Sequence, residues 1–209
     1  MQYSFYKRIF DILFSSILLL IFSPLYFLIS LLIFITSPGP VIYKGSRAGI
    51  YGSEFKIYKF RTMVINAEKI GGFSTAKNDK RLIKYGRFFR KYKLDELPQL
   101  FNVLKGDMSF VGPRPQVFYY TNKYKGENKN ILNVKPGITD LSTISFSDMD
   151  SVLGSLNVDK YYEENIEPKK NKLRLDYVKN ISFGLDIKIL FLTVFTLVGI
   201  KFFKEKRLF

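Results

Sequence analysis

The sequence predicts an α+β fold, mostly helical with a small β-hairpin or sheet, carried on an N-terminal re-entrant membrane helix-break-helix and flanked by interfacial amphipathic helices. Three observations predict it. A nearly unbroken Leu, Ile and Phe run from Ile12 to Ile35 is interrupted at its centre by Ser23-Pro24. Two β-prone segments, Val41 to Lys44 and Glu54 to Phe60, flank a Gly-bearing stretch. Leucines at 94, 97, 100 and 104 then follow helical spacing. With 209 residues, 47% of them hydrophobic, the chain can build one core but not two large ones.

The apolar run is long enough for a helix of about 20 residues to cross a hydrocarbon layer of about 30 Å. Proline at its centre removes a backbone donor and clashes with the preceding turn, favouring a break. Lys7 and Arg8 precede the run and Lys44 and Arg47 follow it, so the positive-inside tendency draws both ends to the cytoplasm. A segment that enters and returns at Ser23 and Pro24 satisfies both facts; a proline-kinked spanning helix is the alternative. No small-residue cleavage site follows, and the run exceeds the roughly 7 to 15 residues of a signal peptide, so the segment is expected in the mature protein. Residues 1–36 are therefore expected as the re-entrant helix and residues 37–209 as one membrane-associated cytoplasmic unit.

After Ser37-Pro38-Gly39-Pro40 comes the expected hairpin, then a short helix from Met63 to Glu68 and a polar loop opening at Gly71-Gly72. Asp79 is the expected N-cap of a helix to about Lys93, with Leu82, Ile83, Gly86 and Phe89 on one face. From Lys77 to Lys93 there are eight basic residues and one acid, and Phe88, Phe89 and Tyr92 give the segment the composition of a membrane-surface helix. A solvated basic face over a core is the bland reading. Asp95 and Glu96 open the next helix, Pro98 lies in its first turn and Gly106 ends it. Pro136-Gly137 marks a turn, and short helices are expected over Ser151 to Lys160 and Lys169 to Val178. The largely apolar stretch from Ile187 to Ile200, only 14 residues long and bracketed by Asp186, Lys188, Lys201 and Lys204, is short for a span and suits an interfacial or core helix.

Composition narrows the chemistry. Cysteine is absent, which excludes disulfides and thiolate metal sites and fits a reducing compartment. Histidine is also absent, so catalysis must use carboxylates, lysine, hydroxyls or a metal. The net charge of +15 attracts polyanions: nucleic acid, anionic headgroups or phosphorylated small molecules.

Asp95-Glu96 alone reads as helix capping. Arg114 is harder to dismiss, because Pro113 and Pro115 stiffen the chain around it and a guanidinium fork matches phosphate oxygens. Gly112 is expected to let a ligand approach the backbone. Together these elements suggest phosphoryl transfer by a carboxylate nucleophile, with a second carboxylate, neutralising cations and a divalent metal, Mg²⁺ by its preference for carboxylate and phosphate oxygens. A helix start is expected to keep Asp95 ionised.

The segments Lys7 to Asp11, Ser23-Pro24, Tyr58 to Met63, Leu94 to Leu100, Asn102 to Ser109, Val111 to Pro115 and Lys135 to Thr139 resemble, in order, those of the bacterial sugar transferases, the small monotopic phosphoglycosyl transferases. The resemblance implies transfer of a sugar 1-phosphate from a UDP-sugar to undecaprenyl phosphate at the cytoplasmic face of the bacterial inner membrane, the first membrane step of surface-glycan or glycoprotein assembly. It implies Asp95 as covalent nucleophile, expelling UMP, and Glu96 as a Mg²⁺ ligand or aid to the acceptor, with Asp95 and Glu96 as the metal site. Lys59, Arg61, Arg90, Pro113 and Arg114 are the implied substrate and phosphate contacts, and Lys7 and Arg8 the contacts to lipid headgroups. Membrane lipids are implied partners, and homodimerisation is left open.

One segment departs from the pattern. Where many members continue after the Pro-Gly-Ile-Thr motif with Gly-Trp or Gly-Leu and a later Asn-Gly-Arg, this chain reads Asp140 to Phe146, which puts nucleotide or sugar recognition in doubt. Two other classes compete: a non-enzymatic basic membrane-surface protein, in which Asp95 and Glu96 only cap a helix, and a nucleic-acid binder, which lacks any recognisable motif.

Overall fold

The computed structural model describes residues 2–70, 79–146 and 158–200. Helices α1 (Gln2–Ile21) and α2 (Ser23–Thr36) are bent by 61° at their junction. The Ser23 hydroxyl donates to the Leu20 carbonyl at 2.8 Å, and Pro24 lies in the first turn of α2, where a missing N–H costs nothing. The proline therefore starts a second helix. Among the described residues no single helix is long and apolar enough to cross a membrane, whereas the bent pair passes by length and composition together.

Strands β1 (Ile42–Ala48) and β2 (Glu54–Phe60) form the antiparallel hairpin, with Ile42 opposite Phe60 and Ala48 opposite Glu54. Phe55 and Ile57 face one core with Val103, Met108, Phe110 and Tyr177. Phe60 instead joins Ile29 and Ile33 of α2, Ile83 and Phe89 in a second cluster.

Between Lys77 and Lys93 the helix is much shorter than expected. Only α4 (Gly86–Lys91) forms, following α3 (Ala67–Ile70). Asp79 does not cap it: Oδ1 accepts from the Arg81 backbone N–H at 2.9 Å, a local turn that competes with helix. Met63 pairs with Leu82 in an isolated bridge, so the helix expected at Met63 is reduced to α3. The aromatic stripe also divides, since Phe89 is buried while Phe88 and Tyr92 are exposed. The loop at Gly71-Gly72 and residues 151–157 lie outside the described residues.

Helix α5 (Gln99–Lys105) ends at Gly106, whose φ of +100° suits glycine as a C-cap. Asn102, fully buried on α5, accepts from the Tyr58 N–H at 2.9 Å and donates to the Lys56 carbonyl at 2.8 Å. An amide thereby takes the place of a neighbouring strand and locks α5 to β2.

A second sheet, unforeseen in the sequence, pairs β3 (Ser109–Val111) with β4 (Gly137–Thr139) in parallel. A Cβ on Gly112 would lie 2.4 Å from the Lys135 carbonyl oxygen, and one on Gly137 would lie 2.1 Å from the Gly112 nitrogen. Gly112 thus admits the neighbouring chain rather than a ligand, correcting the expectation.

Helices α6 (Phe118–Thr121), α7 (Leu141–Ser145) and α8 (Val158–Tyr161) follow, the last running through a π-turn into α9 (Glu167–Lys179). Helix α10 (Phe183–Leu197), capped by the Ser182 side chain, packs Ile189 into the first core.

Candidate active site

Asp95 and Glu96 lie on a 3-10 turn, Leu94–Glu96, immediately before α5. The turn begins at Lys93, held at φ 56°, a left-handed conformation that costs a lysine free energy. Leu94 and Leu97 pack on the second cluster, and the Tyr26 hydroxyl of α2 donates to the Leu97 carbonyl. Helix α2 therefore packs against this turn.

Glu96 is the electrostatic centre. Arg114 Nη1 donates to Oε2 at 3.1 Å, Nη2 donates to Oε1, and Lys59 Nζ reaches Oε1 at 3.4 Å. Burial alone would raise the Glu96 pKa, but Arg114, Lys59 and Lys93 outweigh it and hold the carboxyl well below the usual range. Asp95 is different. Burial, reinforced by the like charge of Glu96, pushes its carboxyl up against the opposing pull of Lys59, Arg90 and Lys93. The helix start expected to keep Asp95 ionised is here a single 3-10 turn, and burial outweighs it in raising the carboxyl's pKa.

Asp95 Oδ1 is buried and has no hydrogen-bond partner among the described residues. Gln99, one turn further on, is fully buried with both amide atoms equally unpartnered. Sequence reading missed Gln99, which looks like a core position in the leucine stripe. Such unmet capacity in a buried site is what a substrate or water satisfies.

The other expected contacts divide. Lys59 and Arg114 converge on Glu96, and Arg90 acts electrostatically on Asp95 while its Nε donates to Thr62 Oγ1 at 2.9 Å. The Pro113 carbonyl accepts from Gly137 N at 3.0 Å, which fixes the strand presenting Arg114. Arg61 is buried, with Nη1 and Nη2 donating to the Pro38 and Ser37 carbonyls at 2.8 and 2.5 Å. Those atoms tie the end of α2 to the hairpin.

Lys7 and Arg8, expected at lipid headgroups, are engaged within the protein. Lys7 is paired with Asp186 of α10, whose other oxygen accepts from the Tyr177 hydroxyl at 2.8 Å. Arg8 donates to the Val103 and Leu104 carbonyls at 2.6 and 2.7 Å, satisfying the C-terminal end of α5. Both are internal struts. Asp11 joins them, accepting from Ser109 Oγ and Phe110 N at 3.1 Å each.

For a divalent ion, the described residues contain no cluster of three or more Asp or Glu side chains. Asp95 Oδ1 is an available hard oxygen, whereas both Glu96 oxygens are engaged by Arg114 and Lys59. That set fits Mg²⁺, which takes one or two carboxylates and completes its shell with substrate phosphate and water.

The segment Asp140 to Phe146 forms the N-cap and body of α7. Asp140 Oδ1 accepts from Thr143 N at 2.6 Å and Oδ2 accepts from Arg114 N at 3.0 Å. The unusual residue thus belongs to the support of the site.

Two adjacent buried carboxylates, one paired with Arg114 and Lys59 and the other with an unpartnered oxygen, thus sit on one turn packed against the apolar helix α2. Residues 2–199 match the family described as bacterial sugar transferase, and the chain belongs to it. It is 38% identical over 197 residues to a UDP-glucose:undecaprenyl-phosphate glucose-1-phosphate transferase of Klebsiella pneumoniae, a match covering 91% of this chain and 39% of that protein. A UDP-N-acetylgalactosamine-undecaprenyl-phosphate N-acetylgalactosaminephosphotransferase of Aeromonas hydrophila is 37% identical, over 94% of this chain and 44% of its own length. An uncharacterized sugar transferase of Bacillus subtilis, EpsL, is 39% identical over 90% of this chain and 85% of its own. The chain spans about two fifths of the length of the first two relatives.

Proposed function

We propose that this protein transfers a sugar 1-phosphate from a UDP-sugar to undecaprenyl phosphate at the cytoplasmic face of the bacterial inner membrane. The observation that carries the reading is the contrast within one turn: Glu96 neutralised by Arg114 and Lys59, and Asp95 buried beside it with an unpartnered oxygen. The names of the relatives support the donor and acceptor classes, and they differ in the sugar.

Asp95 attacks the sugar-linked phosphorus of the donor. The P–O bond to the nucleotide phosphate breaks, UMP leaves, and a sugar phosphate remains on the Asp95 carboxylate. An oxygen of undecaprenyl phosphate then attacks that phosphorus, the acyl-phosphate bond breaks, and Asp95 is regenerated as undecaprenyl diphosphate sugar departs. Lys59, Arg90 and Arg114 balance charge on the phosphates, and Glu96 orients Arg114. Asp95 would hold a Mg²⁺ ion, which would supply further charge neutralisation.

Membrane attachment is part of the same proposal. Phe27, Phe34 and Ile35 of α2 and Phe191 and Val194 of α10 are exposed large apolar side chains, as lipid contact requires. A site at the headgroup plane suits one water-soluble and one lipid-anchored substrate, and the product begins a glycan on its lipid carrier.

The test is interrupted turnover. With UDP-sugar and Mg²⁺ but no acceptor, one equivalent of UMP should appear and a sugar-phosphate mass should map to Asp95. UMP appearing only when acceptor is present would replace the covalent intermediate with direct displacement.

A further inference from the structure

Arg114 is held from two directions. Its guanidinium forks onto Glu96, and its backbone N–H donates to Asp140 Oδ2 at 3.0 Å. Asp140 is completely buried. The Ser142 hydroxyl lies 2.8 Å from both its oxygens, and Arg174 Nε lies 3.9 Å from Oδ2. Arg174, itself buried on α9, donates from Nη1 to Glu167 at 2.8 Å and to Asn171 at 2.7 Å. A continuous polar chain therefore runs from α9 through Arg174, Asp140 and Arg114 to Glu96.

This chain exceeds what capping α7 needs. One oxygen of Asp140 suffices for the Thr143 N–H, and serine, with one oxygen, caps as well as aspartate. The second oxygen fixes the peptide from which the Arg114 side chain departs. Since misplacing a group by about 1 Å can cost about a hundredfold in rate, control of that peptide bears directly on the chemistry.

We propose that Asp140, held in place by Arg174 and Ser142, is a positioning residue for sugar-phosphate transfer, acting through the backbone of Arg114 on the guanidinium that binds Glu96. The inference rests on the reading of Asp95 and Glu96 as the reactive pair.

A double-mutant cycle tests it. UMP release from a panel including UDP-glucose and UDP-N-acetylgalactosamine, with Mg²⁺ and undecaprenyl phosphate in detergent, is compared for wild type, Asp140→Ser, Arg114→Ala and the double variant, alongside Tm. Asp140→Ser keeps the cap and loses the oxygen facing Arg114. It should lower kcat roughly tenfold in protein that is still folded, with a lowered Tm because the buried Arg174 loses its neighbouring carboxylate, and should cost nothing further in kcat in Arg114→Ala, as coupled neighbours do. An unchanged kcat, or equal losses in both backgrounds, would overturn the proposal. Should Asp140→Ser fail to fold, the isosteric Asp140→Asn enters the same cycle under the same criteria. A wild-type protein that releases no UMP from any sugar would instead overturn the reading of the pair, and the inference with it.

Discussion

Glu96 and Arg114 meet as a carboxylate and a guanidinium fork, with Nη1 donating to Oε2 at 3.1 Å and Nη2 to Oε1. Lysine carries the same charge without the fork. Arg114→Lys should therefore leave the fold standing, since Lys59 still faces Glu96 at 3.4 Å, while UMP release falls by roughly 10²-fold, the scale of losing one preorganised donor. Steady-state kinetics beside a melting curve would check this; near-normal kcat would show that charge alone suffices.

Asp95 gives a prediction with opposite signs for stability and activity. Its carboxyl is raised above 3.8 by burial and by Glu96, so the stability it contributes is fully present below pH 3.8 and is lost as pH rises through the folded value. Ionising that desolvated carboxyl costs the fold free energy that Asn would not impose. In metal-free buffer Asp95→Asn should melt higher than wild type at pH 7, the gap closing toward pH 3.8. Its transfer activity should fall by roughly 10⁶-fold, as for loss of a nucleophile. A role confined to capping predicts a mild loss, because Asn caps about as well as Asp.

The pH profile follows from the same groups. If ionised Asp95 is the attacking form, UMP release should fall on an acid limb lying above pH 3.8. Glu96→Gln removes the like charge and should move that limb to lower pH; Lys59→Met removes an opposing cation and should move it higher. Identical limbs in all three proteins would separate Asp95 from the titration.

What the sequence displayed was what local pattern encodes. The hairpin rests on neighbours in the chain and forms as expected, while Asp95 and Glu96, expected to open a helix, lie on a 3-10 turn just before α5, where Arg114 meets Glu96. What it hid depends on distant partners. Lys7 resembles a headgroup lysine until Asp186, 179 residues away, folds onto it, and Arg8 until α5 presents its carbonyl ends. Gly112 suggested ligand access because its crowding partner, the Lys135 carbonyl, is brought up by the adjoining three-residue parallel pairing, too short to show periodicity. Asp79 carried a capping signal that a turn to Arg81 absorbed.

The internal role of Lys7 is directly measurable. Its pair with Asp186 is mostly buried, and removing one partner of such a pair leaves an uncompensated charge at a cost of about 3 to 5 kcal/mol. Lys7→Met should destabilise by that order, and adding Asp186→Leu should recover much of the loss. Binding to anionic vesicles should change little for the folded double variant. A large loss of vesicle binding without loss of stability would return Lys7 to the membrane surface.

The break at Ser23 and Pro24 makes a topological prediction that a chain without cysteine tests cleanly. The two helices are bent by 61°, and Pro24 sits where it begins a helix, so the chain can turn back instead of continuing. Tyr26 of α2 bonds to Leu97, while Arg8 of α1 bonds to the end of α5, so both helices are fastened to the same short segment. A straight span would carry Gln2 and Ser53 to opposite sides of the bilayer. Single cysteines placed at each should both resist a membrane-impermeant thiol reagent in intact cells and both react once the membrane is opened; labelling of only one in intact cells would establish the spanning arrangement instead.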